Sequence, residues 1–147
     1  MSRVVSRDRV WRMPKLEYAL LADYVRLEGG VAHVIAASVD TVYSLLEPPV
    51  TQSFGFLARL LFDDDELGQK HEFRLVLRTD QGEDILNVVA EVNPQRPEGV
   101  DPDLPVGVLW PMNFAAILPT IGQYSFDVEH DGTVERSLPL RVVRLKR

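Results

Sequence analysis

Along most of this chain apolar and polar residues alternate with a period of two, and no twelve-residue stretch carries the 3.6-residue period of an amphipathic helix. Successive side chains of a strand point to opposite faces, so each such stretch offers one apolar face to a core. Over residues 71–79, Phe73, Leu75 and Leu77 fall on one side while Glu72, Arg74 and Arg78 fall on the other. Residues 84–92 place Leu86, Val88, Ala90 and Val92 on one face, and residues 123–130 do the same with Tyr124, Phe126 and Val128. Residues 133–145 close the chain through Leu138, Leu140 and Val142. Residues 53–62 alternate Phe54, Phe56, Ala58, Leu60 and Phe62; FLARLLF also fits a short helix, but alternation and aromatic content favour a strand. Pro111 places the strand over 107–118 at an edge or a bulge.

Turn chemistry separates these runs. Gly29-Gly30, Asp80-Gln81-Gly82 and Asp131-Gly132 supply tight turns, and the proline-rich stretch 93–105 reads as a surface loop. Together with a first hairpin over 17–25 and 31–39, about eight strands result, and an antiparallel β-sandwich is the fold expected. Alternating βα units are absent, which disfavours a Rossmann-type nucleotide fold. The 147 residues suit one domain, read as 15–147 behind a flexible basic arm over 1–14.

Charge narrows the function classes. The net charge is −6, with +4 over residues 1–15 and +5 over residues 136–147, so the stretch between carries −15. An acidic body disfavours nonspecific nucleic-acid binding, while basic ends can orient a protein partner. The absence of cysteine excludes disulfides and thiolate chemistry and fits a reducing compartment. No apolar run has the length of a membrane span and the N-terminus lacks a signal-peptide core, so a cytoplasmic, membrane-independent protein is expected.

The first hairpin departs from simple alternation. Tyr18, Leu20, Ala22 and Tyr24 line one face of its first strand, while Ala19, Leu21 and Val25 line the other. Its second strand is likewise apolar on both sides, through Val31, Ile35, Ala37 and Val39 on one and Ala32, Val34 and Ala36 on the other. A strand apolar on both faces needs cover on both, and a loop, a second subunit or another protein could supply it. Leu20, Leu21, Tyr24, Val34 and Ile35 are therefore the candidate interface, with Arg141 and Arg144 of the basic C-terminal strand as charged contacts.

Three segments carry a family resemblance: LEYALLADYVRLEGG-VAHVIAASVD near the start, ELGQKHEFRLVLRTDQGEDI in the middle, and IGQYSFDVEHDGTVERSLPLRV at the end. Over residues 15–145 the chain resembles a family of small bacterial proteins of uncharacterised function. The resemblance implies a single immunoglobulin-like or C2-like sandwich in a bacterial cytoplasm. It brings no activity, ligand or site residue with it.

Catalytic constellations are not evident. There is no GxSxG elbow and no HExxH spacing. His33, His71 and His130 lie scattered on or at the ends of strands; Glu66 and His71 could form a carboxylate–imidazole pair, but a loop running into a strand explains their proximity equally well. The run Asp63-Asp64-Asp65-Glu66 and the pair Asp101 and Asp103 have the oxygen-rich character of calcium loops, yet solvated turns explain them better. Asp23 and Asp40, inside or ending apolar strands, are expected to meet backbone donors or an arginine. No cofactor, metal ligand or catalytic residue is assigned. The expectation is a non-enzymatic sandwich working by protein–protein association or homo-oligomerisation. Two alternatives remain: a small-molecule pocket between the sheets near Phe56, Trp110 and Tyr124, or calcium-dependent binding at the acidic loops.

Overall fold

A computed structural model describes residues 16–146. The arm expected over residues 1–14 lies outside them. Among the described residues ten strands form: β1 (Leu16–Ala22), β2 (Tyr24–Glu28), β3 (Val31–Ile35), β4 (Thr41–Ser44), β5 (Val50–Phe62), β6 (His71–Thr79), β7 (Asp84–Val92), β8 (Val106–Leu118), β9 (Gly122–His130) and β10 (Thr133–Arg144). They build a three-stranded sheet of order β1-β5-β8, a five-stranded sheet of order β4-β10-β9-β6-β7, and the separate hairpin β2-β3. The fold is an all-β sandwich.

Its core lies between the two larger sheets, where the alternation directs the apolar faces. Phe54, Phe56 and Phe62 of β5 meet Phe73 of β6 and Phe126 of β9, with Phe54 edge-on to Phe126 at 5.3 Å. Leu16, Leu60, Leu75, Leu77, Leu118 and Leu140 fill the space around them and are fully buried. Each such side chain contributes about 1.5–3 kcal/mol by leaving water. The corner before β9 is tied by Tyr124, whose hydroxyl donates to the Thr120 carbonyl at 2.7 Å and accepts its N–H at 3.0 Å, a device that closes corners in β-sandwiches. Residues 53–62 are strand, as expected, and β8 with Pro111 pairs only with β5 and so forms an edge among the described residues.

Two expectations are corrected. The first strand does not run unbroken over 17–25: it breaks at Asp23, and β1 and β2 on either side belong to different sheets. Aspartate is poorly accommodated inside a strand, and Asp23 is exposed at the break, not buried among apolar neighbours. The strand expected over 31–39 stops at Ile35, because Ala36 (φ 55°) and Ser38 (φ 66°) leave the extended region. The chain then adds β4, which runs parallel to β10 and was not foreseen; its four residues are too short to show a period.

Candidate functional site

The break at Asp23 lets the hairpin β2-β3 fold back over the outer face of the three-stranded sheet. Its inner residues Val25, Ala32 and Val34 pack against Leu20, Ala22, Leu57 and Leu109 of β1, β5 and β8. Two residues allow the close approach. At Gly55 of β5 a Cβ would stand 2.9 Å from the backbone of Tyr24 and Val25, so only glycine lets β2 cross there. Opposite Gly55 in register, Asn113 of β8 mimics a strand partner: its Oδ1 accepts the Val25 N–H at 2.9 Å and its Nδ2 donates to the Val25 carbonyl at 2.7 Å. The second cover demanded by the doubly apolar β1 thus comes from within the chain, from the inner face of β2-β3, while the outer face of β2-β3 keeps Tyr24, Val31 and Ile35 exposed.

A groove of about 680 Å³ remains between hairpin and sheet, lined chiefly by Tyr18, Leu20, Ala32, Val34, Leu57 and Leu109. Arg59 also lines it, ion-paired with Glu17 and lying over Gly107, where a Cβ would collide with its guanidinium. On the hairpin itself large apolar residues stay in solvent: Tyr24 is 46% exposed, Leu27 48%, and Val31 and Ile35 60% each.

The residues expected at an interface are therefore divided. Tyr24 and Ile35 form a cross-strand pair on the hairpin's outer face and are exposed. Leu20 and Val34 line the groove. Leu21 points into the sandwich core at 2% exposure and is unavailable to a partner in the folded chain, a correction that follows from its position one residue on from Leu20. Arg141 and Arg144 lie on β10, in the opposite sheet, where Arg144 pairs with Glu47. Phe56, Trp110 and Tyr124, near which a pocket between the sheets was expected, are packed in the core, Phe56 edge-on to Trp110 at 5.1 Å.

A family model described as a family of unknown function, DUF6941, matches residues 17–143, from β1 almost to the end of β10. The chain belongs to DUF6941. Neither a curated protein nor a solved structure matches it. No helix among the described residues is long and apolar enough to cross a membrane.

Two of the polar centres among the described residues of the DUF6941 domain gather the acidic loops and the histidines. In one, Arg96 reaches between the acidic loops, donating to the carbonyls of Asp101 and Leu104 at 2.8 Å and pairing with the Asp64 carboxylate. The two loops that recommended calcium do share a cleft, and a guanidinium already bridges them. Glu66 turns its carboxylate to the Asp63 N–H at 2.8 Å, capping a single 3-10 turn over Asp64–Glu66.

The other centre gathers residues the sequence keeps far apart. His71 begins β6 and His130 ends β9, and the antiparallel pairing of these strands brings His71 Nδ1 to 3.3 Å from His130 Nε2. His130 Nε2 also lies 3.1 Å from Asp131 Oδ2. The Glu66–His71 contact takes a different form from the pair considered above: His71 Nε2 meets the backbone carbonyl of Glu66 at 2.9 Å. The His130 ring stacks on Phe73 at 4.5 Å, and Phe62 packs beside His71 at 4.9 Å.

Proposed function

We propose that this domain is a non-catalytic binding module whose working surface is the hairpin β2-β3 with the groove beneath it, and that it associates first with a second copy of itself. The observation that carries this reading is the exposure of large apolar residues on one short hairpin: Tyr24 pairs with Ile35 at one end of its outer face and Val31 lies at the other, while Leu27 is exposed on the inner face, which borders a largely apolar groove. Large apolar side chains exposed beside a groove are characteristic of association sites. The hairpin is held by Gly55 and Asn113, so a partner would meet a preformed surface with little ordering cost. Arg26, opposite His33 between the two apolar ends, and Glu28, paired with it, would tune specificity more than affinity.

Sedimentation equilibrium over a range of concentrations tests the reading. Self-association is expected in the wild-type chain and its loss in the double variant Val31→Glu/Ile35→Lys, with the folded signature of the sandwich unchanged. A monomer at every concentration, or association that the double variant leaves intact, overturns it. A second reading is favoured by the groove volume, which falls in the range of small-molecule sites. It predicts a monomer that retains a bound small mass in native mass spectrometry and loses it with Leu57→Arg.

A further inference from the structure

The contacts around His71 and His130 fix how the two rings are turned. A backbone carbonyl only accepts, so the bond to Glu66 places a proton on His71 Nε2 and leaves the Nδ1 lone pair directed at His130. Asp131 is fixed in the same way: its Oδ1 accepts the Glu72 N–H at 3.2 Å and its own N–H bonds the Glu72 carbonyl at 3.0 Å, which turns Oδ2 towards His130 Nε2. The far nitrogen of His130, Nδ1, faces the Glu135 carboxylate at 3.9 Å. Three acceptor-capable atoms thus converge within 4.8 Å of one another, each on a side chain oriented by a second contact.

We propose that His71 Nδ1, His130 Nε2 and Asp131 Oδ2 form a binding site for a divalent transition-metal ion of the zinc class. The spacing suits it: bonds of about 2.0–2.1 Å put tetrahedral donors about 3.3 Å apart, and two of the three separations here are 3.3 and 3.1 Å, with the third inside 4.8 Å. Two imidazole nitrogens and one carboxylate favour zinc and its neighbours over calcium or magnesium, which prefer oxygen alone. The carbonyl behind His71 is the outer support that metal-bound histidines use to fix tautomer and orientation, and behind His130 the Glu135 carboxylate stands at 3.9 Å, a nearby negative charge beyond hydrogen-bond length. Asp131 is 58% exposed, which gives the ion a route in from that side. A bound ion would join the start of β6 to the β9-β10 turn.

Titration of the full chain with Co2+ is expected to develop the visible absorption of a four-coordinate site, saturating at one ion per chain and displaced by Zn2+. Zn2+ is expected to raise the melting temperature. Asp131→Asn, which keeps a residue tolerant of the positive φ at this turn, and His130→Gln should each abolish the absorption. Asp65→Asn, in the neighbouring acidic turn, should change nothing. Melting of each variant without metal shows whether it folds. No Co2+ absorption in the wild-type chain would mean that the cluster holds a proton only and would overturn the site. Absorption that survives both Asp131→Asn and His130→Gln would place the ion elsewhere and overturn it equally.

Discussion

Arg78 on β6 meets three carboxylates on the outer face of the five-stranded sheet: Asp84 at 2.8 Å, Asp127 at 2.8 Å and Glu129 at 3.0 Å. Asp127 also accepts from Ser137 Oγ at 2.6 Å. Burial alone would raise the Asp127 carboxyl, but the hydrogen bonds from Ser137, Arg78 and Ser125, with the charge of Arg78, outweigh it and hold the group below the ordinary carboxylate range. A depressed value in the folded chain means that the stability it contributes is complete above the unfolded-state pKa of about 3.9 and drains as the pH falls through the folded value. Asp127→Asn is therefore expected to lower stability at neutral pH by about 1.5–3 kcal/mol and to flatten the acid limb of the stability profile below about pH 4. Urea unfolding at several pH values checks both; an unchanged acid limb would show that the carboxylate does not contribute. Alternation revealed that Arg78 points outward, but not which acids it meets. Those lie on β9 and β7, and only the pairing of strands distant in sequence brings them within reach.

At the scale of the element, the hairpin depends on positions that look unremarkable in the sequence. Asn113 interrupts an apolar run and Gly55 sits inside a strand, and such a glycine is a signal of close backbone approach, though not of which segment approaches. Asn113→Ala would leave the N–H and carbonyl of buried Val25 without their side-chain partner. An equilibrium loss of about 1–3 kcal/mol is expected, with added mobility over residues 24–35. Gly55→Val should be worse, because a Cβ there collides with the backbone of Tyr24 and Val25 as well as with the Val25 side chain. Denaturant unfolding with NMR order parameters for the hairpin measures the two effects, and an Asn113→Ala chain as stable and as ordered as wild type would remove this anchor from the explanation. The strands of the sandwich body were legible from their period, β6 and β7 to the residue. The fold-back at Asp23, the left-handed conformations at Ala36 and Ser38 and the short β4 were not, because tertiary packing sets them and no local pattern announces them.

For the whole molecule, the consequence is a sandwich with one face of its smaller sheet covered by the chain's own hairpin, and the hairpin's apolar surface left outward. Double apolarity in the first hairpin pointed to this region, and the exposed Tyr24 and Ile35 were already among the residues singled out. The groove and the histidine cluster stayed hidden because their members come from strands tens of residues apart. Hydrogen–deuterium exchange of the full chain at low and high protein concentration tests the hairpin surface most directly. At low concentration, hydrogen-bonded amides over residues 24–35 should exchange slowly, as those of a docked element do. At high concentration, added protection should appear there and not in the loop over residues 93–105. Exchange over residues 24–35 as fast as in that loop at both concentrations would contradict both the docking of the hairpin and its role as the binding surface.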